Sequence, residues 1–352
     1  MNLIDLLKRT LELGGSDMFL VPGAPVMVKV PGRLIPISDV RLNSSQTNSL
    51  ISSTYALASG RSKELLEKQG DDDFSFSLEK LSRFRCNAYS QRGTLAATYR
   101  VVAFGLPDPS ELSIPPLVME QTEHHSGMVL VTGPAGSGKS TTLACMIDRI
   151  NSKRAGHVIT IEDPIEFLHP HKKSLVSQRE VPNDACTFPR ALRAALRQAP
   201  DVIMLGEMRD FETMQTAITA AETGHLLLSS LHTVGAATTI DRIIDAFPAN
   251  QQQQVRVQLS MVLRAVISQQ LVPRIDGGLI PVFEVMTITP AVQNLIREGK
   301  THQINNVIFG GAVGNSMLSM DNELARLCRE GVISRENALL YTSNMELMKR
   351  KI

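Results

Sequence analysis

The sequence predicts an α/β chain with a small α+β domain followed by a larger domain built on a mostly parallel sheet. Short apolar runs separated by Pro and Gly occupy most of the first hundred residues. Beyond them, continuous apolar runs alternate with helical periods, which is typical of a parallel sheet covered on both faces. The length of 352 residues also exceeds one ordinary hydrophobic core. We therefore expect two domains.

The first predicted domain spans residues 1–105 and opens with a helix over residues 2–13. Its apolar face carries Leu3, Leu6, Leu7 and Leu11. Two glycines then end the helix. Strands are predicted in MFLV, VMVKV, LIPI and the alternating DFSFSL, and RFRCNAYSQRGTLAATYRVV predicts a hairpin that turns at Arg92-Gly93.

The proline-rich stretch LPDPSELSIPP, residues 106–116, has no period and predicts an inter-domain linker. The second predicted domain covers residues 117–352. Its strands are expected in GMVLVTG, HVITIED, DVIMLGE and GHLLLSSLHT, and FPRALRAALRQ predicts a helix. After about Gly277 we expect mainly helices, with MELMKRKI as a frayed, solvated tail.

Composition and charge exclude several classes of function. The 36 basic and 35 acidic side chains nearly cancel, and the chain has 11 Phe, four Tyr and no Trp, so neither a basic stripe nor a stacking groove predicts nucleic-acid binding. No apolar run reaches the roughly 20 residues of a membrane span, and the charged N-terminus does not fit a signal peptide. Four scattered cysteines without a C-x-x-C pair indicate free thiols. We expect a cytoplasmic protein with no membrane insertion.

The motif GPAGSGKST predicts a phosphate-binding loop, because Gly133, Gly138, Lys139 and Ser140 fit G-x-x-x-x-G-K-[ST] between a strand and a helix. Glycines let backbone N–H groups converge on phosphate oxygens, while the lysine reaches the β- and γ-phosphates and the serine hydroxyl ligates Mg²⁺. The residues expected to bind nucleotide are Gly133, Pro134, Gly136, Ser137, Gly138, Lys139, Ser140 and Thr141. The predicted ligands are ATP and Mg²⁺.

Hydrolysis also needs acids, and two strand ends supply candidates. Glu207 follows the strand VIML, at the edge where open α/β sheets bind ligands, so we assign it the activation of water. Asp201 begins that strand and is expected at the opposite, solvated edge. A second cluster follows ITI and contains Glu162, Asp163 and Glu166. A βαβ series can bring both clusters to the edge that carries the phosphate loop.

Histidines and arginines complete the candidate site. His232 follows the strand LLLSSL and is the better candidate for contacting the γ-phosphate, whereas His225 precedes it and fits a packed residue equally well. Arg193 and Arg197 lie four apart in RALRAALRQ, which suits either a solvated helix face or an anion site. Arg83, Arg85 and Arg100 lie on strands of the first domain, where an arginine can present a planar fork to a phosphate, and an NTPase can receive such a group from elsewhere.

Taken together, the motifs resemble those of the secretion-type ATPases, and most closely the branch that retracts type IV pili. The phosphate loop GPAGSGKSTTLA, the acidic box ITIEDPIEFLH, the segment DVIMLGEMRD and the histidine box TAAETGHLLLSSLHT are each similar to a family motif. Further similar segments are TIDRIIDAFP, QQQQVRVQLS, AVISQQLVP and PAVQNLIREGK. The resemblance extends from GGSDMFL to MDNEL, nearly the whole chain.

This resemblance implies a PAS-like N-terminal domain, a RecA-like P-loop ATPase domain with a helical C-terminal region, and a homohexamer with ATP at the subunit boundaries. It assigns Glu166 with Ser140 to Mg²⁺, Glu207 to catalysis and His232 to the γ-phosphate. The arginines that it implies at the site are Arg85, Arg100, Arg193 and Arg197. The implied partners are an inner-membrane pilus platform protein of the PilC type and paralogous pilus ATPases, and the implied place is the inner face of the cytoplasmic membrane.

Three alternatives stay open at this point. A related secretion-type ATPase would power pilus extension or type II or type IV secretion, although the additional N-terminal region and four-cysteine zinc element usual in extension and type II secretion ATPases do not occur in this sequence. A RecA-like nucleic-acid translocase is opposed by the near-neutral charge. A nucleotide-gated regulator without turnover is opposed by the joint presence of five residues, which are Lys139, Ser140, Glu166, Glu207 and His232.

Overall fold

The computed structural model describes residues 2–31, 33–79, 81–104, 106, 108–313 and 316–352. By its contacts the chain divides into two compact units. Unit 1 comprises Met1–Gly105 with Glu166–Leu168, and unit 2 comprises Leu106–Ile165 with His169–Ile352. The domain boundaries predicted above, including the linker at 106–116, stay a prediction.

Unit 1 is an antiparallel sheet covered by helices. Its elements are α1 (Leu3–Glu12), β1 (Asp17–Leu20), β2 (Met27–Val30), β3 (Arg33–Pro36), α2 (Ser44–Leu57), α3 (Glu64–Gln69), β4 (Asp71–Leu78), β5 (Ser82–Gln91) and β6 (Thr94–Phe104). The strand order is β3-β2-β1-β6-β5-β4, and the two-residue strand β9 (Phe167–Leu168) pairs in parallel with β6. The predicted hairpin is present between β5 and β6. Arg92 and Gly93 take φ of 47° and 73°, the left-handed conformation that a two-residue hairpin turn requires.

Helix α2 was not predicted from the sequence, and the reason is its composition. The segment SSQTNSLISSTYAL is rich in Ser, Thr and Asn, which are weak helix formers. Its start is nevertheless fixed by a capping box, in which the Asn43 side chain accepts from the Gln46 N–H while the Gln46 side chain accepts from the Asn43 N–H. Leu50, Ile51 and Tyr55 then bury one face against the sheet.

Unit 2 contains the parallel sheet. Its elements are α4 (Pro116–Glu120), β7 (Gly127–Thr132), α5 (Lys139–Lys153), β8 (His157–Glu162), β10 (Leu175–Glu180), α6 (Phe188–Ala195), β11 (Val202–Leu205), α7 (Phe211–Glu222), β12 (Leu226–Leu231), α8 (Ala236–Asp245), α9 (Gln252–Val262), β13 (Leu263–Pro273), β14 (Leu279–Thr287), α10 (Pro290–Arg297), α11 (Ile304–Val313), α12 (Met320–Arg329), α13 (Arg335–Tyr341) and α14 (Met345–Lys351). The strand order is β10-β8-β11-β12-β7-β13-β14, and only β14 is antiparallel to its neighbour.

The sheet of unit 2 is buried on both faces, as its apolar strands predict. In β7, Met128 and Leu130 pack into the core beneath α6, α7, α8 and α9, whereas Val129 and Val131 pack beneath α5. All six residues of β7 and of β12 are buried. The predicted α/β class with a mostly parallel sheet and a helical C-terminal region is therefore confirmed.

The region after Gly277 is mainly helical, as expected, although it opens with β14, whose residues pair with β13 from Leu279 to Thr287 before helices begin at Pro290. One expectation for this region is wrong. The segment MELMKRKI is helix α14 and not a frayed tail, because Asn344 caps it and Met348 is buried against α12 and α13. Lys351 also donates to the Asn322 Oδ1 at 2.7 Å, so this basic residue is not merely solvated.

Candidate functional site

The phosphate-binding loop lies between β7 and α5, where the sequence predicts it. Lys139 begins α5 and is only 8% exposed. Its ammonium group donates to the carbonyl oxygens of Gly133 at 2.9 Å and Pro134 at 2.8 Å, so it is held over the loop that it closes. An ammonium group in this position can exchange those carbonyl oxygens for phosphate oxygens.

The glycines of this loop leave room that no other residue would leave. Gly133 has φ of +146°, and a Cβ there would lie 2.1 Å from the carbonyl oxygen of Gln269. Gly138 is the left-handed N-cap of α5, and the helix has no side-chain cap, so its first N–H groups remain available to an anion. Ser137 Oγ is buried there without a hydrogen-bond partner in the described part of the chain. A cradle with open N–H groups and an unsatisfied hydroxyl fits the phosphates of a nucleotide.

Gln269 is a contributor to this site that the sequence reasoning missed. It lies on β13 and is 3% exposed, and its Oε1 accepts from the hydroxyl of Thr142 on α5 at 2.7 Å. Its amide nitrogen would be 2.9 Å from a Cβ at Gly138. Gln269 therefore forms a wall against which both motif glycines pack. No local pattern predicts this, because the contact joins residues 127 positions apart.

Glu207 and His232 meet at the ends of adjacent parallel strands. Glu207 follows β11, His232 follows β12, and β12 pairs directly with β7, which leads into the phosphate loop. The Glu207 carboxylate, with a side chain only 13% exposed, is 3.2 Å from His232 Nε2 and 2.7 Å from Arg209 Nε. Arg209 is a further member of this cluster, to which the motifs assign no role. The structure thus brings a carboxylate, an imidazole and a guanidinium together at the edge predicted to bind nucleotide.

Two acids of the cluster at the end of β8 differ in exposure, since Glu162 is buried and Glu166 is exposed. Glu162 ends β8 and is 8% exposed, and it accepts hydrogen bonds from Thr160 Oγ1 at 2.6 Å and Gln178 Nε2 at 3.2 Å. These contacts make it part of the sheet edge. Glu166 is exposed and belongs to unit 1, since the segment that it begins pairs with β6. Its assignment to Mg²⁺ stays a prediction, as does that of Ser140, which is exposed in the first turn of α5.

Two candidate arginines of unit 1 lie side by side. Arg85 on β5 and Arg100 on β6 are directly opposite each other in the strand register. Like charges in such a pair repel, and here each is countered by an acid: Asp73 pairs with Arg85, and Asp17 accepts from Arg100 Nε at 3.0 Å. The result is a pair of guanidinium groups on one sheet face, each already paired with a carboxylate.

The remaining candidates lie elsewhere in unit 2. Arg193 on α6 pairs with Glu212 on α7, and α6 ends at Ala195, so the exposed Arg197 lies in the turn after the helix and not on its face. His225 precedes β12 at the sheet edge opposite the phosphate loop, and its Nδ1 is 2.9 Å from the Ala220 carbonyl oxygen. That contact gives His225 a structural role.

Asp201 also lies at the opposite edge, where it was predicted. It is exposed, but it is more than a solvated acid, since it accepts the N–H of His157 at 2.7 Å. None of the described helices is both long and apolar enough to cross a membrane.

Comparisons with known proteins agree on the relatives of this chain. The family model for the type II/IV secretion system protein matches residues 115–338. The type IV pilus retraction ATPase PilT of Pseudomonas aeruginosa is 44% identical over 339 residues, which cover 96% of this chain and 97% of that protein. A crystal structure of the pilus retraction motor PilT with bound ADP is similar at a TM-score of 0.90 and 43% identity, covering 99% of both chains. The ATPase DotB of Legionella pneumophila is similar at a TM-score of 0.82 and 29% identity, covering 97% of this chain and 95% of that one.

Proposed function

This chain belongs to the type II/IV secretion system protein family, and from that premise we propose that it is an ATPase that powers the retraction of type IV pili. The observation that carries the chemistry is the Glu207–His232 pair beside the phosphate loop. The observation that favours pilus retraction is the 44% identity with a pilus retraction ATPase over 96% of this chain. This identity exceeds the 29% identity with DotB.

Nucleotide binding follows from the loop between β7 and α5. The N–H groups at the start of α5 and the Lys139 ammonium group would hold the phosphates, and the buried hydroxyl of Ser137 would gain a partner. Mg²⁺ would be held by Ser140 and Glu166 and would neutralise charge on the β- and γ-phosphates. The similarity to an ADP-bound structure supports the nucleotide.

Hydrolysis then requires an oriented water molecule, and Glu207 is the group we assign to it. Its carboxylate is mostly shielded from solvent and is held between Arg209 and His232, so its orientation is fixed before water is bound. His232 is half exposed on the same edge and would contact the γ-phosphate. The guanidinium groups of Arg85, Arg100, Arg193 and Arg197 would stabilise the charge that develops on the phosphates.

We further propose that the chain acts as a homohexamer with the nucleotide at subunit boundaries. A ring would let arginines of one protomer serve the site of its neighbour, which suits the guanidinium pair of Arg85 and Arg100 on unit 1. Hydrolysis would drive pilus disassembly through a PilC-like platform protein at the inner face of the cytoplasmic membrane, producing twitching motility. Paralogous pilus ATPases would share that machine.

A substitution at Glu207 tests the chemistry. We expect Glu207→Gln to lower kcat for ATP by about 100-fold or more, because a general base contributes roughly 10²–10⁴-fold. Affinity for a fluorescent ADP analogue should stay within about 2-fold of wild type, since the phosphate loop is intact. Asp201→Asn is the matched control, an acid at the other end of the same strand, and should leave kcat unchanged.

Turnover that survives in Glu207→Gln would move the catalytic role to another residue. A wild-type chain that binds ADP but hydrolyses no ATP, with Mg²⁺ present and the protein assembled as a ring, would instead support the nucleotide-gated regulator.

A further inference from the structure

One carboxylate, that of Glu284, joins two helices of unit 2 that are far apart in the chain. It lies on β14 and accepts the N–H of Ala236 through Oε1 at 2.9 Å. The backbone N–H of Met320 also faces this carboxylate and favours its charged form. Ala236 begins α8 and Met320 begins α12, and neither Gly235 nor Ser319 provides a side-chain cap for its own helix. A single carboxylate therefore caps α8 and also places its charge at the start of α12, where a negative charge is stabilising.

The loop that begins at His232 ends at this carboxylate. The Gly235 N–H donates to Ser268 Oγ at 2.9 Å, and Ser268 lies directly opposite Glu284 in the register of β13 and β14. Two consecutive N–H groups are thus held by one cross-strand pair. Only Thr233 and Val234 separate His232 from the first of them, so little backbone freedom remains between the imidazole and its anchor.

The surroundings of Glu284 favour a role beyond packing. It lines a cavity of about 740 Å³ between the sheet and the C-terminal helices, together with Gly235, Ser268, Met320 and Asp321. Burial raises the pKa of Glu284, and the nearby Asp321 charge adds to the effect, while the N–H donors of Ala236 and Met320 oppose it. The Ala236 N–H is part-buried, so removing the carboxylate that accepts from it would leave this donor without a partner and destabilise the start of α8.

We propose that Glu284 is a positioning residue for His232, fixing the end of the 232–236 loop and tying that loop to the start of α12. Movement of the C-terminal helices would then shift the His232 imidazole that faces Glu207. Movement of His232 would likewise shift the start of α12. This inference rests on the proposed function, because only a hydrolytic role for His232 makes its position matter.

Steady-state kinetics of Glu284→Gln test the proposal. The amide keeps one acceptor oxygen but replaces the other with a donor and removes the charge, so it weakens the interaction with both N–H groups. We expect kcat for ATP to fall about 10-fold, because His232 would be misplaced relative to the γ-phosphate. KM and the affinity for a fluorescent ADP analogue should stay within about 2-fold of wild type. Ser268→Ala should have the same kind of effect. The fold-decrease in kcat of the double variant should be smaller than the product of the fold-decreases of the two single variants, because both residues hold the same loop.

Ser334→Ala is the matched control. It removes the side-chain cap of α13, which accepts the Asn337 N–H at 3.1 Å, without touching the 232–236 loop. We expect its kcat to equal that of wild type. A folded Glu284→Gln protein with wild-type kcat would overturn the proposal, as would a loss that Ser334→Ala reproduces.

Hydrogen exchange separates this inference from the proposed function. In Glu284→Gln, exchange at the N–H groups of Ala236 and Met320 should accelerate together, whether or not the chain hydrolyses ATP. Acceleration at Met320 alone would contradict the shared anchor. An absence of ATP turnover in the wild type would refute the proposed function and leave the exchange result to decide the anchor.

Discussion

Gly133 lies against the backbone of β13 with no room for a side chain, and this contact shows how one residue position constrains the phosphate loop. The atom that a Cβ would meet is the carbonyl oxygen of Gln269, which belongs to a paired strand and cannot move aside as a flexible side chain would. The φ of +146° adds strain for any residue with a Cβ.

We expect Gly133→Ala to displace the loop and weaken binding of a fluorescent ADP analogue by about 100-fold, since the N–H groups that hold the phosphates would no longer converge. Gly136→Ala is the matched control within the same loop. Its φ of +76° also disfavours alanine, but a Cβ there meets no atom within 4 Å. We expect that control to lose only a few-fold, in line with about 1 kcal/mol of left-handed strain. Equal losses in the two variants would show that backbone strain alone, and not the contact with β13, explains the effect.

At this scale the sequence predicts residues whose role is local and misses those whose role depends on a distant strand. The loop from Gly133 to Thr141 follows from a motif, and Glu207 and His232 follow from their places at strand ends. Gln269 and Glu284 could not be found this way, because their partners are 127 and 48 residues away. Only the pairing of β13 with β7 and β14 brings them to the site.

At the scale of elements, local composition decided which helices and strands the sequence could predict. Buried parallel strands are continuous apolar runs, so β7, β8, β11 and β12 are predictable. Helix α2 has few strong helix formers and was not predicted, although a capping box at Asn43 fixes its start in the structure. Helix α14 has a basic, polar composition, and its folding depends on burying Met348 among residues of α12 and α13, which no local pattern reveals.

Met348→Ala tests whether α14 is part of the folded core. Met348 is 1% exposed, so its truncation should lower the free energy of unfolding by about 2–5 kcal/mol, measured by urea denaturation. Met345, in the same helix, is 51% exposed, and Met345→Ala should change stability by no more than about 0.5 kcal/mol. A Met348→Ala protein as stable as Met345→Ala would mean that the terminal segment is frayed after all.

At the scale of the whole molecule, the residues that we propose for the site come from both units. Unit 2 contributes the phosphate loop, Glu207 and His232 along one sheet edge, whereas Arg85, Arg100 and Glu166 belong to unit 1. The near-zero net charge leaves recognition of partners to local surfaces.

The central claim is that ATP hydrolysis by this chain shortens type IV pili, and live imaging of labelled pili in the native host tests it most directly. The chromosomal gene would be replaced by the Glu207→Gln allele, with Asp201→Asn as the matched control. We predict that Glu207→Gln cells carry abundant pili that extend but do not shorten, while Asp201→Asn cells retract pili as the wild type does. Bald Glu207→Gln cells would make this chain an assembly motor, and pili that shorten normally would contradict its role in retraction.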